Sequence, residues 1–342
     1  MNRRQFIKAG AIGAAAVATT FGNKTFALNF NQSPTEFKIG IFAGSDAEVA
    51  KKSFEPFRNY LSNRLGIAVT LQTGTSYTAV IEAIRGKFID AFEVGPFAYV
   101  LGSSVAKVEP LGVAITPKVA KGAVAIYSPK ESPFYYSVIF TKKGSGIEKL
   151  EDLRGKRFSF VDPASTSGNL MPRSLLMKNK IDPDKDMQSI FAGSHPSSAV
   201  AVWNDKVDAG ATFEQNLYDM TSGGLVDACV FADSINRRRT QAEITARFNS
   251  CKAGQLTILA YSDPIPNTPF AVRSELPAQF REALKSAVLD VRKDPALVAS
   301  YKQWYVDPVV DYPTLKLKNT DQFFNGLRDV ARLLKLDLSK MK

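Results

Sequence analysis

Short apolar strands alternate with amphipathic helices along this chain, and the alternation constrains the fold more than any other feature. Its first run predicts strands over 37–42, 69–72 and 88–94, with helices over 48–65 and 77–85 between them. The helices are predicted from apolar residues that recur every three or four positions. Such an alternation is typical of a largely parallel sheet whose ligands bind at the carboxyl ends of the strands.

The pattern begins again beyond residue 135, and its elements follow in chain order. They are predicted as a strand over 136–141, a short helix over 147–153, strands over 157–161 and 189–192, helices over 170–178 and 197–204, and a strand over 256–261. The last third of the chain, 277–338, is predicted to be mostly helical.

The length of 342 residues exceeds what one hydrophobic core usually fills, so the two runs predict two α/β lobes. We place the chain crossings near residues 135 and 262. Residues 28–134 together with 263–342 then form lobe one, and residues 135–262 form lobe two. A cleft between two lobes is where ligands usually bind.

The N-terminus has the form of an export signal. A basic start at residues 2–8 is followed by 9–21 without a charge and by small residues at 25–27. The apolar run is too short to span a bilayer, so we expect residues 1–27 to be removed on export to the periplasm. Arg3 and Arg4 favour a twin-arginine signal over a general secretory one. No cysteine lies near the cleavage point, so we expect no lipid anchor.

The charge balance bears on the class of ligand. The full chain carries a formal net charge of +11, and removal of Arg3, Arg4, Lys8 and Lys24 lowers it to +7. An exported protein does not meet nucleic acid, so we expect the excess to favour anionic solutes or lipid surfaces. The densest basic run, 237–239, is expected to be a solvated face or loop rather than a docking site.

Cysteine and histidine are scarce. Cys229 and Cys251 are the only cysteines, and His195 is the only histidine. An oxidising compartment permits a disulfide between the cysteines, but the sequence does not show whether they come close enough. Three such residues leave a zinc or iron–sulfur site short of ligands, so we predict no metal and no cofactor.

The stretch from Asp162 to Gly168 carries the clearest site chemistry. Its hydroxyl residues Ser165, Thr166 and Ser167 lie between a predicted strand and a predicted helix. A helix start leaves backbone N–H groups unpaired and carries partial positive charge, so added hydroxyl donors make a site for a tetrahedral anion. Helix capping by a single serine is the alternative. His195 also follows a strand, where it is either a structural residue or a ligand donor.

Residues from about 36 to 275 resemble the periplasmic phosphonate- and phosphite-binding proteins of ABC importers, a branch of the type II two-lobed solute-binding fold. The resemblance lies in short motifs in the same order: Ser76-Tyr77, Ile81-Glu82-Ala83, Ile89-Asp90-Ala91, Gly95-Pro96, Tyr135-Tyr136-Ser137, Asp162 to Gly168, Gly193-Ser194-His195, Val207-Asp208 and Ser262 to Pro266. It implies a binding protein that is not an enzyme, delivers a small oxyanion to a membrane permease and works as a monomer.

The resemblance also implies which side chains hold the phosphoryl oxygens. They are Ser165, Thr166, Ser167 and His195, with Tyr77 and Tyr135 adding hydroxyls from across the cleft. Relatives that bind aminoalkylphosphonates clamp the ammonium group with two carboxylates, and Gln215 and Thr268 stand at those positions here. Neither compensates a buried ammonium. Phosphite, methylphosphonate or another compact oxyanion is therefore expected, unless a one-residue shift in register brings Glu214 into the clamp.

Two other functions stay open. A sensory binding protein could present an oxyanion, including an arsenic species, to a membrane sensor kinase. A periplasmic phosphoesterase could use Ser165 as nucleophile and His195 as base, but the chain has no Gly-x-Ser-x-Gly elbow and no metal cluster to support it. Neighbouring permease genes would favour import, and a neighbouring kinase gene would favour sensing.

Overall fold

A computed structural model of the chain describes residues 34–44, 46–115, 132–231 and 237–336. The predicted export signal at 1–27 lies outside these residues.

Strands and helices alternate through the described ranges. The strands are β1 (Glu36–Phe42), β2 (Ala68–Gly74), β3 (Ala91–Glu93), β4 (Val108–Ile115), β5 (Phe134–Tyr135), β6 (Ser137–Lys142), β7 (Arg157–Phe160), β8 (Gln188–Phe191), β9 (Ala209–Phe213), β10 (Ala228–Cys229), β11 (Leu256–Tyr261), β12 (Ile265–Pro266), β13 (Pro269–Arg273) and β14 (Trp304–Val306). The α-helices are α1 (Ala47–Leu65), α2 (Tyr77–Arg85), α3 (Pro96–Val105), α4 (Met171–Lys178), α5 (His195–Trp203), α6 (Glu214–Ser222), α7 (Gln241–Ser250), α8 (Ala278–Asp290), α9 (Pro295–Tyr301), α10 (Pro308–Asp311) and α11 (Asn325–Leu333). Shorter helical turns are the π-helical turn Thr166–Leu170 and the 3-10 turns Leu150–Leu153, Val291–Lys293, Pro313–Leu315 and Thr320–Phe324.

The strands form two six-stranded sheets, one for each run of the sequence pattern. The first has the order β14-β4-β13-β3-β1-β2, and the second has the order β10-β11-β6-β9-β7-β8. Both sheets are mixed, which corrects the expectation of largely parallel sheets. In the first, β13 and β14 return from late in the chain and pair antiparallel to their neighbours. In the second, β6 is antiparallel to both of its neighbours.

Each sheet is buried by helices on its faces. In β6, the consecutive residues Ile139 and Phe140 are both fully buried and belong to separate cores. Because successive strand residues point to opposite faces, the second sheet is covered on both sides. Phe140 packs in the core with α5 and α6, whereas Ile139 packs in the core with α4 and α7.

A two-stranded ribbon, β5 with β12, lies where the chain passes between the two sheets. It pairs Tyr135 with Ile265 and Phe134 with Pro266 in antiparallel register. The chain leaves the first sheet after β4, enters the second at β6 through β5, and returns from β11 to β13 through β12. The ribbon therefore places Tyr135 at the junction. The predicted lobe boundaries stay a prediction.

Several predicted elements differ from those observed. The strand predicted over 88–94 is only Ala91–Glu93, because the chain turns at Lys87, which has a positive φ of 61°, and leaves Phe88 exposed. The helix predicted over 147–153 is a single 3-10 turn. The tail predicted to be mostly helical contains β14, which pairs with β4 after Lys302 ends α9 with a left-handed conformation.

The two cysteines form a disulfide, which answers the question that the sequence left open. The Cα atoms of Cys229 and Cys251 are 5.6 Å apart, and both residues are buried. The bond ties the end of α7 to β10 at the edge of the second sheet, so it closes a loop with a sequence separation of 22 residues.

We predict that replacing both Cys229 and Cys251 by serine lowers the free energy of unfolding by about 3 kcal/mol, because the unfolded chain regains the entropy that the closed loop removes. Urea unfolding of the oxidised wild type and the double variant measures this difference. The reduced wild type is the control and should match the variant. Identical unfolding midpoints for all three proteins would contradict the prediction.

Candidate ligand-binding site

A cavity of about 290 Å³ lies between the two sheets. All eight residues that the sequence singled out for ligand binding or selectivity line it: Tyr77, Tyr135, Ser165, Thr166, Ser167, His195, Gln215 and Thr268. They come from both halves of the molecule, and most of them follow strands of one sheet or the other. Their role in binding stays a prediction, but their convergence on one cavity is a feature of the fold.

The hydroxyl-rich turn begins at Ser165, which caps the helical segment that follows. The Oγ of Ser165 accepts a hydrogen bond of 3.1 Å from the amide of Gly168, and the Oδ1 of Asp162 accepts one of 2.8 Å from Ala164. Gly168 is required here because a Cβ atom would lie 2.4 Å from the side chain of Val161. The turn is therefore pressed against β7 and its continuation, with its hydroxyl residues at the cavity.

Thr166 links this turn to the other half of the molecule. Its Oγ1 accepts a hydrogen bond of 2.8 Å from the amide of Phe97, in the first turn of α3. Because the amide occupies an acceptor site on the oxygen, the hydroxyl proton remains available for donation. Thr166 thus combines a bond across the cleft with a hydroxyl that pairs with Tyr135 at the cavity.

The two tyrosines place their hydroxyls against the same turn. Tyr77 lies in the first turn of α2, stacked on Phe42 with ring centroids 4.2 Å apart, and its hydroxyl pairs with Ser165. The Tyr135 hydroxyl pairs with Thr166 and Ser167. Burial raises the pKa of Tyr135 to about 12 and raises the pKa of Tyr77 further. Both side chains therefore keep their protons and can donate to an anion.

His195 occupies the first position of α5, which begins two residues earlier than predicted because Ser194 caps it. The Nδ1 atom lies 3.0 Å from Thr212 Oγ1, and Nε2 lies 3.5 Å from Ser165 Oγ. Burial lowers the pKa of His195 to about 3. The imidazole is therefore neutral at physiological pH, and it reaches the hydroxyl turn without a positive charge.

Five further residues line the cavity: Gly95, Phe213, Asp219, Asn267 and Gln303. Gly95 belongs to the Gly95-Pro96 motif, whereas the other four were not predicted as site residues from the sequence. Asp219 follows Gln215 by four residues on α6, so helical spacing could have found it. Gln303 comes from the approach to β14, and no local signal connects it with the hydroxyl turn. None of the described lining residues is lysine or arginine.

A carboxylate, that of Asp219, also lines the cavity. The Nε2 of Gln215 donates a hydrogen bond of 2.7 Å to Asp219 Oδ1. Asp219 is accessible to solvent, yet the surrounding protein raises its pKa by desolvation, opposed by the bond from Gln215 and by the charge of Lys302. The cavity therefore holds an acidic group, although neither predicted selectivity residue supplies it.

Glu214 is turned away from the cavity. It accepts a hydrogen bond of 2.8 Å from the Tyr261 hydroxyl and lies 3.7 Å from Arg239. The Arg239 side chain is fully buried and stacks on Phe231 at 4.1 Å. This corrects the expectation that the basic run 237–239 is solvated throughout, because its last member pairs with a buried carboxylate.

Two β-sheets with helices packed on them, a ribbon between the sheets and a polar cavity at their junction define a two-lobed solute-binding protein. The described residues contain no helix of the length and apolar character that a membrane span requires. A family model for the periplasmic phosphonate substrate-binding protein of ABC transporters matches residues 39–312, and the chain belongs to that family. A twin-arginine translocation signal matches residues 1–20. These matches confirm the predicted family, export route and periplasmic location.

Individual relatives are similar over much of the chain. The phosphate-import protein PhnD of Mycolicibacterium smegmatis is 27% identical, over 94% of this chain and 93% of its own length. The phosphonates-binding periplasmic protein of Escherichia coli is 28% identical over 60% of this chain and 61% of its own length. A solved structure of PhnD1 from Prochlorococcus marinus in complex with methylphosphonate superposes with a TM-score of 0.64 at 18% identity, covering 89% of this chain and 99% of that one. The structural likeness confirms the two-lobed α/β fold.

We predict that the imidazole of His195 does not titrate between about pH 5 and pH 8, because burial disfavours its charged form. His195 is the only histidine, so its ring signals in a nuclear magnetic resonance titration need no assignment by mutation. The urea-unfolded protein is the control and should titrate near about pH 6.5. A folded-state midpoint close to that of the unfolded chain would show the prediction to be wrong.

Proposed function

We propose that this protein captures a small phosphorus oxyanion, such as phosphite, methylphosphonate or a related phosphonate, in the cavity and delivers it to the permease of an ABC importer. The observation that carries the proposal is the convergence of neutral donors on the turn at Ser165, which opens a helical segment at the cavity. Family membership supplies the transport role.

Under this proposal, six side chains hold the phosphoryl oxygens: Tyr77, Tyr135, Ser165, Thr166, Ser167 and His195. The first amides of a helical segment have no intrahelical acceptor, so the turn adds backbone donors and the positive end of a helix dipole. Hydrogen bonds to a charged group contribute about 1.5–3 kcal/mol each. Five or six of them, less the cost of immobilising the ligand, are sufficient for about −8.2 kcal/mol, which is micromolar affinity.

The choice of substituent is the finer part of the proposal. Gln215 and Thr268 do not neutralise a buried ammonium, so compact oxyanions are favoured over aminoalkylphosphonates. Asp219 adds one carboxylate to that end, but it is solvent-accessible and already accepts from Gln215. Phosphate, in the name of the Mycolicibacterium smegmatis relative, and methylphosphonate, in the Prochlorococcus marinus complex, are of the same compact kind.

Binding without turnover is also proposed. Ser165 and His195 lie 3.5 Å apart and have the composition of a nucleophile and a general base. A base with a pKa of about 3 removes a serine proton poorly at neutral pH. The Nδ1 of His195 is held by a threonine hydroxyl rather than by a carboxylate, which in hydrolases of this type stabilises the imidazolium.

The transport role also requires two lobes that close on the ligand. We propose that lobe one comprises residues 28–134 and 263–342 and that lobe two comprises 135–262, so that the ribbon β5–β12 marks the boundary. A monomer that offers both lobes to a permease fits this division.

We predict that titration calorimetry detects binding of phosphite or methylphosphonate, and that Ser165→Ala weakens it roughly 10- to 100-fold, as expected for one lost hydrogen bond to a charged group. Ser250→Ala, at the exposed end of α7, is the matched control and should bind like the wild type. Aminoethylphosphonate should bind more weakly than methylphosphonate.

Three outcomes would contradict the proposal in different ways. If no phosphorus oxyanion gives heat on titration, the proposed class of transported ligand is wrong. If the protein prefers aminoethylphosphonate, the proposed selectivity is wrong and Asp219 is part of an ammonium site. Hydrolysis of a chromogenic phosphate ester that Ser165→Ala abolishes would establish an enzyme.

A further inference from the structure

A second carboxyl group lies beside the cavity, buried in the first sheet. Glu93 is the last residue of β3 and is 8% exposed. It precedes Gly95, which lines the cavity, by only two residues. None of the oxyanion contacts proposed above uses it.

Glu93 is connected to the cavity through Gln303. The Nε2 of Gln303 donates a hydrogen bond of 2.7 Å to Glu93 Oε1, and Gln303 itself lines the cavity. The same Nε2 lies 3.0 Å from the hydroxyls of Tyr301 and Tyr305. Because the amide nitrogen is held by this cluster, the carbonyl oxygen is the polar atom of Gln303 left for other partners.

Hydroxyls, an amide and apolar side chains surround Glu93. It accepts from Tyr305 of β14 and, at 3.4 Å, from Tyr301 of α9. The flanking strands β1 and β13 place Ile41 and Phe270 opposite it. Burial raises the pKa of Glu93 to about 7, although the hydrogen bonds from Tyr305, Gln303 and Tyr301 oppose the rise.

Other titratable groups near this cluster are few in the described ranges. Burial and the charge of Glu93 raise the pKa of both Tyr301 and Tyr305 well above the usual value, so neither hydroxyl ionises near neutrality. From α1, Phe57 stacks on the Tyr301 ring at 4.9 Å. Lys302 stands between Tyr301 and Gln303 at the end of α9, where it is exposed, and its charge opposes the rise that burial causes in the pKa of Asp219. Glu93 is therefore the group in this cluster that can change charge near neutral pH.

We propose that Glu93 is a positioning residue of the oxyanion site that takes up a proton when an oxyanion enters the cavity. The inference rests on the proposed function. A bound anion adds negative charge to the cavity that Gln303 lines, and Gln303 is hydrogen-bonded to Glu93. Because the buried surroundings screen this charge poorly, it disfavours the ionised carboxylate. By linkage, deprotonation of Glu93 at higher pH weakens anion binding by the same factor.

The sign follows from the two protonation states. Well below pH 7, Glu93 is already neutral and binding takes up no proton there. Above pH 7, Glu93 is increasingly ionised in the ligand-free protein, so binding takes up part of a proton and affinity falls as the pH rises. Glu93→Gln keeps an acceptor oxygen for Gln303 but carries no charge, so its affinity should lack this fall.

The experiment compares methylphosphonate binding to the wild type, Glu93→Gln and the exposed control Glu55→Gln. Titrations at about pH 8, in two buffers with different ionisation enthalpies, give the number of protons taken up. The wild type and Glu55→Gln should take up about half a proton more than Glu93→Gln, and the ligand's own protonation cancels in the difference. The ratio of wild-type Kd to Glu93→Gln Kd should rise from about 1 at pH 6 to about threefold or more at pH 8.5.

Equal proton uptake by the wild type and Glu93→Gln, with methylphosphonate bound by both, would overturn this inference and leave the proposed function intact. No binding to the wild type would overturn both. If Glu93→Gln does not fold, a carbon-13 titration of glutamate-labelled wild type decides. One carboxyl should titrate near neutral pH, and ligand should move its midpoint to higher pH. An unmoved midpoint would contradict the inference.

Discussion

The hydrogen bond from the Phe97 amide to Thr166 Oγ1 joins the two halves of this molecule at the site where a ligand is expected. It connects the start of α3 with the turn that Ser165 caps beyond β7. The Phe97 amide occupies an acceptor site on Thr166 Oγ1, and the hydroxyl also pairs with Tyr135 of β5. One threonine side chain therefore links the first half of the molecule, the hydroxyl turn and the ribbon at the cavity.

Burial favours the neutral form of the tyrosines, the histidine and the buried glutamate at the cavity. It keeps the tyrosines protonated, keeps His195 neutral and favours the protonated form of Glu93. The described lining contains no lysine or arginine, so under the proposed function an anion would be held by neutral donors and a helix start. Such a site would stabilise an anion through fixed dipoles and not through a positively charged side chain. Its affinity is then sensitive to any nearby negative charge, which is why Glu93 matters.

The sequence predicted that Ser165, Thr166 and Ser167 form a turn before a helix, because the signals for such a turn are local, and the turn lines the cavity. Its role in binding an oxyanion stays a prediction. A strand, a proline and three hydroxyl residues before a helix specify the turn at Ser165 without knowledge of the fold. The ordered family motifs then brought Tyr77, Tyr135 and His195 to the same cavity. Two other lining residues that carry acceptor oxygens, Asp219 and Gln303, were not predicted from the sequence. Gln303 reaches the cavity only because β14 pairs with β4, a long-range contact with no local signal. Asp219 was not predicted because the family resemblance places the ammonium clamp at Gln215 and Thr268.

The central claim is that the turn at Ser165, together with the tyrosines and His195, holds the phosphoryl group. A crystal structure of the mature protein with methylphosphonate tests it most directly. We expect phosphoryl oxygens within about 3.2 Å of the hydroxyls of Ser165, Thr166 and Tyr77, with the methyl group directed toward Gln215 and Thr268. A phosphoryl group bound at the Gln215–Asp219 end, or outside the cavity, would contradict it.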